Sequence, residues 1–118
     1  MSDLYNRQVK HTKNIGLLIG FAYASGYELT EGEAWRTPQQ AQWNAAHGLG
    51  SAHSVHMDRL GHDFNIFKNG KLCTTAEEVK PLADYWKTLS PDNCWGGDFT
   101  GKTAGDIGHF SQAYGGVK

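Results

Sequence analysis

The chain has 118 residues and a formal net charge of −1, with 11 basic and 12 acidic side chains. A chain of this length is expected to form one domain with one modest core, here spanning residues 1–118 and monomeric. The nearly balanced charge, without a run of lysine or arginine, argues against a nucleic-acid partner and against a polybasic membrane-binding segment.

The cysteine content and the apolar segments bear on the cellular compartment of the protein. The two cysteines, Cys73 and Cys94, are too few for a disulfide framework. We expect two small buried or half-buried thiols, with a single disulfide formed in an oxidising compartment as the alternative. The N-terminus lacks the charged and then apolar start of a secretion signal. The apolar stretch 15–24 is shorter than the roughly 20 residues of a membrane span, so we expect a buried helix and no membrane span.

Residues 6–48 predict a helix, a strand and a second helix. Apolar residues recur at helical spacing over 6–25, which places His11 and Asn14 on the solvent side. Residues 27–35 alternate partly and predict a short strand. Thr37 followed by a proline is a typical helix start, and this second helix ends near residue 48.

The rest of the chain predicts strands on both sides of a third helix. Residues 62–67 predict a central strand with Asp63, Asn65 and Phe67 on one face, and Asn69-Gly70 predicts a hairpin turn. A helix over 76–89 begins after Thr75, and we expect its inner face to consist of Val79, Leu82, Ala83 and Trp86. Residues 106–110 predict entry into a last strand. The fold class is therefore α+β, with a small antiparallel sheet packed against helices.

Three side chains form a candidate zinc site. His56 and Asp63 lie seven residues apart, and His109 follows much later in the chain. Two imidazoles and one carboxylate are typical zinc ligands, and three protein ligands leave the fourth position for water, as in catalytic sites. A carboxylate that is not a ligand can accept the water's proton and pass it to a leaving amine. Asp106, three residues before His109, is the candidate for this general base.

The neighbouring residues allow alternative interpretations. Arg36 is a candidate donor to the scissile carbonyl or to a substrate carboxylate, because guanidinium has a fixed bidentate geometry; alternatively, it is a surface arginine paired with Glu33 or Glu31. Ser54 is a candidate for substrate binding, or an ordinary loop hydroxyl. Asp98 either orients one of the histidine ligands or forms a turn.

Two other histidines lie close to the candidate ligands in sequence. His53 and His62 are expected not to bind the metal directly. His62 is adjacent to Asp63, so on a strand its side chain points to the opposite face.

Four motifs in one order carry a family resemblance: Trp35–Gln40, Ser54–Asp63, Trp95–Phe99 and Asp106–Phe110. Over residues 25–111 the chain resembles the zinc peptidases of peptidoglycan. That family includes D-Ala-D-Ala carboxypeptidases, vancomycin-resistance dipeptidases and phage L-alanyl-D-glutamate endolysins, and hedgehog-type signalling domains have a related fold.

The sequence also departs from the family pattern. Where the family often has Gly-x-Ala between the first two ligands, this chain has Arg59 and Gly61, which bears on the local turn. Its base position holds Asp106 where many bacterial members have glutamate, and this is more similar to the phage branch.

The resemblance implies a D-Ala-D-Ala carboxypeptidase/hedgehog-like fold and a zinc peptidase catalytic domain. It implies that His56, Asp63 and His109 bind Zn²⁺, that Asp106 is the general base, and that Arg36 faces the substrate. The expected activity is hydrolysis of the bond between L-alanine and D-glutamate in peptidoglycan stem peptides by a phage or prophage endolysin.

Two other functions remain open, a D-Ala-D-Ala carboxypeptidase and a zinc-bearing binding module that has lost catalysis. Because no signal peptide is predicted, we expect synthesis in the cytoplasm of the bacterial host. The protein would then reach the cell wall in the periplasm after another protein permeabilises the membrane.

Overall fold

The computed structural model describes residues 2–48, 54–101 and 104–118. Within these ranges the elements follow in the order α1 (Asp3–Ala24), β1 (Tyr27–Glu31), α2 (Pro38–Ala46), β2 (Gly61–Lys68), β3 (Lys71–Leu72), α3 (Ala76–Thr88), β4 (Asn93–Trp95) and β5 (His109–Gln112). Short 3₁₀ turns lie at Val55–Asp58 and Gly96–Asp98. The predicted α+β class with a small antiparallel sheet is confirmed. None of the helices in the described part of the chain is long and apolar enough to cross a membrane.

The sheet brings together strands that are distant in sequence. Its order is β1-β2-β5-β4, all neighbours are antiparallel, and β3 extends the sheet beside the end of β2. β5 therefore lies between β2 and β4, although it follows both in the chain. The register places Asp63 opposite His109 and Trp95 opposite Phe110.

The core centres on Trp86, a fully buried residue of α3. Its indole Nε1 donates to the carbonyl oxygens of Cys94 at 2.9 Å and Ser111 at 3.3 Å. The side-chain amide of Asn93 donates to the Trp86 carbonyl oxygen at 2.8 Å. These three bonds fix α3 against β4 and β5, and they satisfy polar groups that would be costly to bury without partners.

The helix α3 and the hairpin agree with the predictions. Thr75 and Glu78 form a reciprocal capping box at the start of α3, and the predicted inner face is buried: Val79, Leu82, Ala83 and Trp86. Asn69 and Gly70 have φ values of 53° and 75°, as a two-residue hairpin with a primed turn requires. Both cysteines are free, with Cys73 buried and Cys94 half-buried, in agreement with the buried-thiol prediction.

The buried face of α1 differs from the prediction. The helix begins at Asp3, after a Ser2 cap whose hydroxyl accepts a hydrogen bond from Tyr5. His11 and Asn14, predicted on the solvent side, are each only 4% exposed. That prediction was wrong because the stripe facing the sheet is His11, Asn14, Ile15, Leu18 and Ala22, which keeps helical spacing but contains two polar residues.

Two strand predictions also needed correction, and one strand was missed. β1 ends at Glu31 rather than at residue 35, and β5 spans His109–Gln112 rather than starting at residue 106. β4 was not predicted at all, because three residues carry too little periodicity to identify a strand.

His11 should make stability depend on pH. Neither ring nitrogen has a hydrogen-bond partner. Burial, followed by the charges of His62, His56 and His109, lowers the His11 pKa to about 4. In the unfolded chain the His11 imidazole has an ordinary pKa of about 6.5. The contribution of neutral His11 to the free energy of unfolding is therefore fully present above that pH. It is lost as pH falls toward 4, by up to about 3 kcal/mol.

This dependence can be measured as the free energy of unfolding against pH. We expect His11→Leu to flatten the decline between pH 6.5 and 4, whereas His47→Leu, at an exposed histidine, should leave it unchanged. Parallel curves for the native chain and His11→Leu would contradict this account.

Candidate metal centre

His56 is presented by the short 3₁₀ turn Val55–Asp58. The hydroxyl of Ser54 caps this turn by accepting a hydrogen bond from the His56 backbone N–H at 3.2 Å. The turn ends at Arg59, which has a left-handed backbone with φ of 61°, a conformation that favours glycine. The Arg59 guanidinium lies over the Trp35 ring at 4.4 Å. Arg59 therefore adopts a backbone conformation that glycine favours, with its side chain packed on an aromatic face.

His56, Asp63 and His109 converge on one point. Asp63 Oδ1 lies 3.4 Å from His56 Nε2 and 3.1 Å from His109 Nδ1. One ligand atom from each of the three residues lies within 4.8 Å of the others. Ligands about 2.0–2.1 Å from a tetrahedral zinc are about 3.3 Å apart, so the two measured distances fit such an ion. The residues that the sequence analysis selected as ligands thus form a group that could hold zinc.

Electrostatics favour the ligand form of Asp63. Burial alone would raise its pKa, but hydrogen bonds from His109 and His56 outweigh burial and hold the Asp63 pKa well below its usual range. The carboxylate is therefore ionised at neutral pH and available as an oxygen donor.

The two histidines differ on the side of the ring that faces away from Asp63. His56 Nδ1 lies 3.5 Å from Glu33 Oε1, an electrostatic contact rather than a well-formed hydrogen bond. Both this nitrogen and His109 Nε2 are buried without a hydrogen-bond partner, but His109 has the Phe99 ring beside it, with 5.2 Å between the ring centroids. His56 therefore has a carboxylate available to fix its tautomer, whereas packing holds the ring of His109.

Glu33 connects Arg36 to the candidate metal centre. Its Oε1 accepts a hydrogen bond from Arg36 at 2.6 Å, which is the pairing given above as the alternative for Arg36. The same oxygen is the one that faces His56. Asp63 N–H donates to the Glu33 carbonyl oxygen at 2.8 Å, and Arg36 N–H donates to that of His56 at 3.1 Å. Backbone bonds thus fix both residues beside the centre.

This position of Glu33 was not predicted from the sequence, in which Glu33 was expected only as a candidate surface partner of Arg36. The spacing of three residues between Glu33 and Arg36 was the available signal. That spacing alone does not distinguish a surface ion pair from one that also contacts a candidate ligand.

Asp106 lies beside His109. A turn closed by the bond from His109 N–H to the Asp106 carbonyl oxygen, at 3.1 Å, brings Asp106 Oδ2 within 3.8 Å of His109 Nδ1. Burial, and then the charge of Asp63, raise the Asp106 pKa, while the charges of His109, His56 and Arg36 oppose that shift. About half of the side chain is exposed, so water can reach the carboxylate.

The Trp95–Phe99 motif supports this turn. A Cβ on Gly96 would collide with the Asp106 carbonyl oxygen and lie 2.8 Å from His109 Cβ, so only glycine fits there. Trp95 Nε1 donates to the Ile107 carbonyl oxygen at 2.8 Å. Asp98 forms an ion pair with Lys87 at 2.5 Å; it holds the motif to the end of α3 and does not orient a histidine.

Two other histidines, His53 and His62, lie near the candidate ligands in sequence. His62 faces away from these ligands and pairs with Glu31 at 2.7 Å, as the strand alternation predicted. His53 lies outside the described residues.

Comparisons with known proteins give one informative result. No protein-family model matches the chain, and no curated protein matches it. Among solved structures, the crystal structure of Serratia marcescens L-Ala D-Glu endopeptidase ChiX superposes with a TM-score of 0.69. The match covers 87% of this chain and 77% of the ChiX chain, at 17% identity. The chain shares the fold of ChiX.

Glu33 should matter for metal affinity. Glu33→Ala leaves His56 without its carboxylate contact and leaves an unpaired Arg36 cation beside the centre. Because loss of such an outer partner typically costs 10–100-fold in affinity, we expect zinc to bind about 10–100-fold more weakly.

Competition with a chromophoric chelator would measure this change. Glu31→Ala is the matched control, since Glu31 pairs with His62 on the other face of the sheet. Equal zinc affinity in the native chain and in Glu33→Ala would refute the positioning role.

Proposed function

We propose that this chain is a zinc-dependent peptidase that hydrolyses peptidoglycan stem peptides at the bond between L-alanine and D-glutamate. The convergence of His56, Asp63 and His109 within 4.8 Å of one another carries the proposal. The fold shared with ChiX, whose name describes an L-Ala D-Glu endopeptidase, supports the same substrate class. The order of the four sequence motifs supports it independently.

Asp106 would be the group that moves the proton. When bound, Zn²⁺ would lower the pKa of a water molecule and polarise the scissile carbonyl. The half-exposed Asp106 carboxylate accepts the proton of the attacking water and then donates it to the departing amine. A raised pKa suits both steps, because a general base that must later act as an acid works best with a pKa closer to the operating pH.

Arg36 and Ser54 would bind the substrate. The ion pair with Glu33 holds Arg36 on the His56 side of the centre, where a guanidinium could stabilise an oxyanion or bind a substrate carboxylate. Ser54 uses its oxygen to accept from the His56 N–H, so its own O–H can still donate to the substrate.

The biological setting is part of the same proposal and rests on the resemblance of the motifs. The chain would act as a monomeric phage or prophage endolysin on the cell wall, after release from the cytoplasm of the host.

Metal analysis combined with mass spectrometry of digested peptidoglycan tests the function. We expect about one zinc per chain and new peptides that begin with D-glutamate. Release of free D-alanine would instead identify a D-Ala-D-Ala carboxypeptidase. Zinc without cleavage would indicate a binding module, and a protein that takes up no zinc would overturn the proposed centre.

The variant Asp106→Asn distinguishes a role of Asp106 as general base from a role as metal ligand. The amide keeps the size of the side chain but cannot accept the proton, so we expect turnover to fall about 10²–10⁴-fold while zinc content is retained. Asp98→Asn is the control, because Asp98 is a similarly exposed carboxylate that pairs with Lys87. If zinc is lost together with activity, Asp106 is a ligand and not the base.

A further inference from the structure

A groove of about 290 Å³ leads away from the metal centre along β2. One wall is formed by residues 63–66 and the other by residues 105–108, and Leu72 and Cys73 line it further along. Because Asp63 and Asp106 are both in its lining, the groove is continuous with the centre and is not a separate cavity.

The groove lies where one edge of β2 changes its pairing partner from β5 to β3. β5 pairs with β2 as far as Asp63, and Phe64 N–H then donates to the Gly108 carbonyl oxygen at 2.9 Å. On the same edge, β3 pairs from Phe67, and Cys73 N–H donates to the Ile66 carbonyl oxygen at 2.8 Å. Between these two partners, no strand of the described residues pairs with this edge of β2 beside Asn65.

Among the described residues, the side chains that line the groove beyond the candidate metal centre are uncharged. Asn65 is exposed two residues after Asp63 on the same face, and its amide donates to Thr30 at 3.1 Å. Leu72 is 52% exposed, and Ile107 adds apolar surface to the opposite wall. Among the described residues that line the groove, the charged ones are Asp63 and Asp106. A negatively charged ligand group would therefore be repelled by carboxylates in this part of the groove.

Charge consequently distinguishes the two sides of the centre. Arg36 lies next to His56, joined to it through Glu33, whereas the groove leaves from the side of Asp63 and Asp106. A carboxylate of a bound peptide is favoured on the Arg36 side and disfavoured in the groove.

We propose that the groove binds the uncharged part of the substrate peptide on one side of the scissile bond. Asn65 and Leu72 determine the preference for an uncharged residue at this position. The inference rests on the proposed peptidase function. In a stem peptide the alanyl side of the bond lies in the groove, and the carboxylate-bearing glutamate lies toward Arg36.

Two variants that change the groove charge in opposite directions test this assignment. Each is assayed on synthetic stem peptides with either alanine or aspartate on the amino side of the scissile bond. The native chain should prefer alanine. We define the selectivity ratio as kcat/KM for the alanine peptide divided by kcat/KM for the aspartate peptide. Leu72→Lys adds a cation and should reduce this ratio by about tenfold or more, mainly through KM. Asn65→Asp adds an anion at nearly constant volume and should increase that ratio.

Leu17→Lys on α1 is the matched control, because Leu17 is an exposed leucine at 43% and does not line the groove. It should leave the ratio unchanged, and zinc content should be the same in all variants. If the native chain cleaves the alanine peptide but neither groove variant changes the ratio, the groove assignment is wrong and the peptidase function stands. If the native chain cleaves neither peptide, the proposed function fails, and the groove assignment fails with it.

Discussion

Asp63 is the residue on which the arrangement of the centre depends. One of its carboxylate oxygens faces both histidines, at 3.4 and 3.1 Å. Its backbone N–H and C=O bond to Glu33 and Gly32, each at 2.8 Å, and its register partner on β5 is His109. The same residue therefore fixes the position of both imidazoles and of the segment that carries Glu33. A slip of one residue along β2 would turn the carboxylate toward the helices and dismantle all of these contacts.

Local sequence patterns predicted the elements that carry strong local signals. The alternation along β2, the Asn69-Gly70 turn and the Thr75 cap each depend on residues within a few positions of one another, and each was confirmed. By contrast, the buried stripe of α1 includes His11, whose surroundings are supplied by Trp86 across the core at 5.6 Å between ring centroids. The short strand β4 likewise depends on the tertiary bonds of the Trp86 indole. The pattern of apolar residues in the sequence identifies neither the burial of His11 nor the strand β4.

In the candidate site, too, some features could be predicted from the sequence and others could not. Residue types and motif order were enough to select His56, Asp63 and His109, and the structure brings these three together. The link from Arg36 through Glu33 to His56 could not be predicted, because it requires the segment after β1 to bond to both Asp63 and His56. Similarly, the ion pair between Asp98 and Lys87 joins two segments whose proximity follows from the docking of α3 against β4.

The strand order has a consequence for how the protein folds. β5 inserts between two strands that precede it, and His109 is separated from Asp63 by 46 positions. Closing such a loop costs entropy before any contact across it compensates, so pairings of this kind form slowly and late. A chain in which β5 has not yet inserted holds only two of the three clustered side chains, without the turn that brings Asp106 beside them. A nascent or partly folded molecule therefore lacks the assembled centre, and the topology delays its formation until the sheet has closed.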